Sequence, residues 1–219
     1  MPDTTRALAS EALGSGLLFA TVIGSGVMAQ RLAGGNEALA LLGNTLATGA
    51  MLFVLITMLG PISGAHFNPA VTLVMRLRGH IATGPALGYG LAQVVGGVVG
   101  VWLAHAMFDL PIWQVSQHVR SGLGQWLGET VATFGLILTI LGTRPAWVPA
   151  NVALYITAAY WFTSSTSFAN PAITLARALS DTFAGIAPAS APGFIAGQVA
   201  GALLALAVAK VLFTDKDPE

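Results

Sequence analysis

Apolar residues dominate six stretches of the chain, running approximately from Leu8 to Gln30, Ala38 to Leu59, Gly84 to Phe108, Gly122 to Leu141, Trp147 to Thr163 and Gly193 to Phe213. Each approaches the ~20 residues a helix needs to cross a ~30 Å hydrocarbon core at 1.5 Å per residue. Two further apolar pieces, Ala70 to Leu77 and Ala172 to Leu179, are too short to cross. Both begin with Asn-Pro-Ala after a loop of small polar residues. Proline at the first helical position lacks an N–H that the helix does not need there, and the asparagine before it is a good N-cap. The pattern predicts an all-α integral membrane protein with six transmembrane helices. Two short helices open at Asn68-Pro69-Ala70 and Asn170-Pro171-Ala172.

Composition agrees with a bilayer as solvent. Of 219 residues only 8% are charged, and the mean hydropathy is +0.75, whereas soluble domains carry ~25% charge. Nine basic side chains balance nine acidic ones, which leaves no surplus for nucleic-acid binding. With no cysteine, disulfides and thiolate metal sites are excluded. The four histidines (His66, His80, His105, His118) stand far apart in sequence, and no metal or cofactor is expected. No nucleophile–base pair or phosphate loop stands out, so an enzyme is not expected. Met1 to Arg6 shows no signal-peptide pattern.

The chain also repeats itself. Glu11 opens the first span and Glu129 the fourth; Gln93 lies in the third and Gln198 in the sixth. The order Glu, Asn-Pro-Ala, Gln thus occurs twice, dividing a single membrane channel domain into halves of approximately 1–118 and 119–219. Three spans per half make the second half enter from the opposite side, an inverted repeat. Arg6, Arg76, Arg78, Arg144, Lys210 and Lys216 fall on one side, against Arg31, Arg120 and Arg177 on the other. The positive-inside rule then places both termini in the cytoplasm. Inverted halves bring the two short helices together near the midplane, where irregular backbone is tolerated only if protein buries it or water solvates it. Their N-termini, each carrying about half a positive charge, would repel ions while Asn68 and Asn170 offer hydrogen bonds to neutral solutes.

Ser63-Gly64-Ala65-His66-Phe67-Asn68-Pro69-Ala70-Val71-Thr72 resembles the first signature of the major intrinsic protein family, the aquaporins and aquaglyceroporins. Phe168-Ala169-Asn170-Pro171-Ala172 resembles the second. The resemblance implies a right-handed bundle, one pore per subunit and a homotetramer. It also favours Glu11 and Glu129 as buried acceptors for the re-entrant loops over proton-coupling carboxylates, with Gln93 and Gln198 bracing helix contacts. The five tryptophans lie at or near span ends, as interfacial anchors do.

In the family a second constriction lies outside the Asn-Pro-Ala pair, at four positions set by offset from the motifs. Counted without gaps, they are Thr48, Ala158, Ser167 and Ile173. Ile173 is the main departure, because the family usually has arginine there. An isoleucine narrows a pore but donates no hydrogen bond and adds no charge. Small Thr, Ala and Ser with one Ile imply a wide, less cationic constriction. Arg177 and His66 are placed at the pore mouths. Arg177 either replaces the missing arginine further out or complements the C-terminal end of its half-helix.

The expected function is passive passage of small uncharged solutes (glycerol, urea, neutral metalloid acids such as arsenous acid) and water through the cell (inner) membrane. An aliphatic residue after the second motif, followed by Thr-x-Ala-Arg, resembles a bacterial subgroup associated with arsenic resistance. The alternatives are a water-selective pore and a proton-coupled inverted-repeat transporter.

Overall fold

The computed structural model describes residues 4–213, and Lys216, counted above among the inner charges, lies outside them. The elements are α1 (Thr4–Leu32), α2 (Glu37–Ser63), α3 (Pro69–Leu77), α4 (Thr83–Met107), α5 (Leu123–Gly142), α6 (Val148–Phe162), α7 (Pro171–Arg177) and α8 (Ala191–Leu212). Short 3-10 turns at Pro145–Trp147 and Pro188–Ser190 lead into α6 and α8. All described structure is helical or irregular. Five helices meet the length and hydropathy needed to cross a membrane. The sixth crossing is α6, 15 residues long and lengthened at its start by the turn before it.

Local sequence explains the breaks. Asn36 caps α2 by accepting from the Leu39 amide, and Gly64, at φ 83°, ends it in the left-handed region that glycine enters without a Cβ penalty. Asn68 and Asn170 cap α3 and α7, each accepting from the amide two residues on, with Pro69 and Pro171 at the first helical position. α3 stops at Leu77, where the sequence predicted, and α7 at Arg177, two residues short of the predicted Leu179. The loop from Asp109 to Gly122 then carries the chain from α4 to α5.

Close packing depends on glycines in two matched pairs of helices. α1 packs along α4 and α5 along α8. In α4, a Cβ at Gly96 would collide with the Ala12 carbonyl and one at Gly100 with the Gly16 carbonyl. In α8, a Cβ at Gly201 would collide with the Thr130 carbonyl, and one at Gly197 would sit 2.7 Å from the Trp126 carbonyl. Both pairs have the four-residue glycine spacing that lets helix backbones approach in lipid, where packing replaces the hydrophobic drive. The arrangement recurs in both halves and leaves α3 and α7 between them, each against the other half's helices as well as its own: α3 touches α5 and α8, and α7 touches α4 and α1.

Gly201→Val should therefore cost at least ~3 kcal/mol from overpacking against backbone, lowering the melting temperature in detergent by roughly 10 °C. Gly90→Ala, where nothing lies within 4 Å of the added methyl, should leave it unchanged or slightly raised. Thermal unfolding of the two purified variants beside wild type checks both outcomes.

Candidate functional site

The loops that deliver the two asparagines are strained in the same way. Gly64, Ala65 and Phe67 have φ of 83°, 50° and 48°; Thr166, Ser167 and Ala169 have 60°, 51° and 47°. These positions stand at identical offsets from Asn68 and Asn170. Left-handed backbone costs a non-glycine residue roughly 1–2 kcal/mol, so something must hold it. In the first loop it is Glu11, which is 0% exposed. Its carboxylate accepts from the amides of His66 (2.9 Å) and Phe67 (2.7 Å), from Ser63 Oγ (2.6 Å) and from Gln93 Nε2 (2.7 Å). Every partner is a donor, as an ionised carboxylate requires.

The second loop repeats the device. Glu129, also 0% exposed, accepts from the Phe168 and Ala169 amides, both at 2.8 Å, and from Gln198 Nε2 at 2.5 Å. The glutamines reach one step further, to Thr72 Oγ1 at 3.1 Å and Thr174 Oγ1 at 2.9 Å. Those hydroxyls in turn donate to the Asn68 and Asn170 carbonyls. Carboxylate, glutamine and threonine thus tie each loop to its half-helix. Bonds to a charged acceptor contribute about 1.5–3 kcal/mol each, enough for two such bonds per loop to offset the strain.

With their amides turned to the glutamates, the loops meet face to face. Asn68 Nδ2 donates to the Ala169 carbonyl at 2.7 Å, and Asn170 Nδ2 donates to the Phe67 carbonyl at 2.8 Å. Around this cross-link runs a cavity of about 390 Å³. Toward the C-terminal end of α3 it is walled by Val71, Met75, His80, Ile140 and Val148; toward that of α7, by Thr48, Tyr160, Ser167, Ile173 and Arg177. Gly64 to Asn68 and Ser167 to Asn170 line the stretch between. Among the described residues, the carbonyls of Ala65, His66, Ser167 and Phe168 accept no hydrogen bond from protein. An apolar tube with a narrow strip of free acceptors suits small polar solutes that donate hydrogen bonds.

A profile of the Major intrinsic protein family matches residues 1–146. The chain is also 54% identical over 220 aligned residues to Aquaglyceroporin AqpS of Rhizobium meliloti, covering 99% of this chain and 94% of that one. The chain belongs to the major intrinsic protein family. Among more distant relatives, Aquaporin PIP2-7 of Arabidopsis thaliana is 33% identical over 141 residues, 62% of this chain and 50% of its own length. The crystal structure of the aquaglyceroporin from Plasmodium falciparum superposes with a TM-score of 0.77 at 19% identity, over 96% of this chain and 98% of that one. It bears out the aquaporin-like fold. As a major intrinsic protein the chain is a multi-pass membrane channel.

Of the four constriction positions carried over from the family, Thr48, Ser167 and Ile173 line the lumen and are 3%, 2% and 5% exposed. Ala158 does not. It faces outward on α6, and Tyr160 lines the cavity instead, 3% exposed, with its hydroxyl 3.4 Å from Thr48 Oγ1. Two helical residues turn the side chain by about 200°, so an offset counted two residues too far lands on the opposite face. The periodicity of α6 carried the right signal, because Val152, Ile156 and Tyr160 recur every fourth position and all three line the lumen. His66 lines it too, its Nδ1 3.0 Å from Thr72 Oγ1 and its ring edge-on to Tyr89.

Arg177 is buried, not fanned over the end of α7. Its Nε donates to the Ala184 carbonyl, and its guanidinium stacks on the Phe168 ring. Arg76 and Arg78 at the end of α3 are not its counterparts. Those two are exposed, Arg76 donates to Thr83, and the position matching Arg177 by offset is Met75. His105 is a further contributor that spacing could not reveal, because its partners come from distant loops: its ring bridges the Ile112 carbonyl and Ser180 Oγ and pins the loops around the α7 mouth.

Glu129→Gln replaces an acceptor oxygen with an amide that donates, against two backbone donors. The expected result is a loss of about 1–3 kcal/mol per unsatisfied amide. Permeability to water and every solute should fall together, without change in their ratios. Coupled transport would give a different pattern, a folded variant that loses only gradient-driven accumulation; thermal unfolding and vesicle flux on one preparation separate the two.

Proposed function

We propose that this chain is a passive channel for small uncharged solutes, with glycerol, urea and neutral metalloid acids such as arsenous acid as candidates, and for water. The observation that carries the reading is Ile173, an aliphatic side chain in the lumen wall where the family usually has arginine. It leaves the tube lined by Thr48, Tyr160, Ser167 and Ile173 at that level. Near full-length similarity to a protein named an aquaglyceroporin supports it. Asn68 and Asn170 are the solute-facing amides at the centre, and the facing N-termini of α3 and α7 oppose ions. Arg177 lies toward one mouth, and His66, expected at the other, lines the central stretch beside Asn68.

The chain is one channel domain made of inverted halves, approximately 1–118 and 119–219, with Glu11, Gln93, Glu129 and Gln198 as their buried braces. Both termini lie in the cytoplasm, in keeping with the excess of Arg and Lys on that side. The membrane is the cell (inner) membrane and the assembly a homotetramer, as the family resemblance implies. No catalytic step, cofactor or nucleic-acid partner belongs to this reading. Tyr160 favours a second reading, a water-selective pore, because a phenol stands where a methyl was expected.

Stopped-flow light scattering on proteoliposomes in a glycerol gradient separates the two. Shrinkage followed by fast re-swelling is the expected course, reporting water efflux and then glycerol influx. Shrinkage without re-swelling would establish the water-selective reading instead. Ile173→Arg, which narrows the lumen and adds a fixed guanidinium, should slow the re-swelling at least tenfold and the water phase far less.

A further inference from the structure

Ile173 leaves the site after the second Asn-Pro-Ala without a cation, yet the same lumen holds one four residues on. Arg177 is 2% exposed and lines the cavity beside Thr48, Tyr160 and Ile173. Its guanidinium carbon lies 3.3 Å from the centre of the Phe168 ring, and that ring is clamped from the side by Phe194, 5.0 Å between centroids. Nε is fixed by the Ala184 carbonyl. Neither terminal nitrogen has a hydrogen-bond acceptor among the described residues, and Nη1 is wholly buried. A buried donor without an acceptor is unfavourable, so Nη1 is a cost of holding the group in the wall, and Nη2 is the terminal donor that is not wholly buried.

No carboxylate forms an ion pair with it, although the buried Glu129 is close enough to act on its charge through space. The only ion pair among the described residues is His118 with Asp181 at 4.0 Å, and the Glu129 oxygens are taken by Phe168, Ala169 and Gln198. Two positive charges face that one carboxylate, because Arg120 is also nearby. Arg120 lies 5.4 Å from the Phe168 centroid, with its donors on the Gly185 and Phe183 carbonyls. A charge of one sign in a low-dielectric wall acts strongly on ions passing beside it. The fold does not demand arginine here, since the matching position of the other half is Met75, also in the lumen wall.

We propose that Arg177 is the specificity-determining cation of this pore, displaced about 6 Å along α7 by the helical rise from the position Ile173 occupies. The inference rests on the neutral-solute reading of the lumen. Arg177 rejects cations of the same size as the permeant solutes, and its Nη2 is the donor for solutes that present an oxygen. The constriction is therefore cationic although the residue directly after the second Asn-Pro-Ala is neutral.

Urea and guanidinium test this directly, because they share size and shape and differ in charge. Uptake of each is measured in proteoliposomes containing wild type, Arg177→Met, Arg177→Gln and Arg177→Lys, with glycerol re-swelling followed in the same vesicles. Wild type should pass urea and exclude guanidinium. The Met and Gln variants should raise guanidinium permeability at least tenfold with water flux changed less than threefold, and Lys should keep guanidinium out. Adding Ile173→Arg to the Met variant should restore exclusion. Neutral variants that elute as wild type, pass glycerol and still exclude guanidinium would overturn the proposal. So would failure of both neutral variants to fold, which would assign Arg177 to the scaffold. Absence of glycerol and urea flux in wild type would count against the neutral-solute reading alone, since guanidinium uptake is scored separately.

Discussion

Everything in the lumen depends on a carboxylate holding two adjacent backbone amides. A chain that turns back in the middle of a bilayer leaves polar groups where no lipid can satisfy them, and here the turn also forces left-handed backbone on Ala65, Phe67, Thr166, Ser167 and Ala169. Glu11 and Glu129 answer both problems at once. Each draws two amides to one side and leaves neighbouring carbonyls free for the lumen. An acid inside a membrane helix is unfavourable by ~2.5 kcal/mol or more, and a neutral side chain could not fix two amides with the same strength. In the proposed reading the glutamates are structural, and the solute path is the space their hydrogen bonds hold open.

The scaffold is close to symmetric while the wall of the tube is not. Glutamate, glutamine, threonine and asparagine recur in both halves with the same partners, as do the glycine pairs of α4 and α8. The lumen then departs from symmetry at a few places. His66 stands where the other loop has Phe168, and Met75 where the other half-helix has Arg177. Tyr160 reaches Thr48 across the bundle. In the proposed reading, selectivity is set by side chains that the scaffold tolerates on either side, and the role of Arg177 uses that freedom.

The parts of the architecture written in local pattern were legible in the sequence. Span lengths, the capped Asn-Pro starts and the doubled Glu and Gln positions all lie in short windows whose chemistry admits few readings. Thr48, Ser167 and Ile173, expected at the constriction, do line the cavity. Ala158 was misplaced because a position counted along the chain carries an error that a helix converts into the wrong face. Arg177 was legible as a mouth residue but not as a buried one. Its surroundings come from Phe168, Ala184 and Phe194, and no spacing rule brings those three together.

The central claim concerns four amides, and amide hydrogen exchange reads them individually. In protein reconstituted in lipid and resolved by NMR, the amides of His66, Phe67, Phe168 and Ala169 should exchange as slowly as those in the middle of α1 and α5, although all four lie outside helices beside a water-filled path. Exchange at the rate of the 109–122 loop would mean that Glu11 and Glu129 do not hold the re-entrant turns, and the account of the lumen would fail with them.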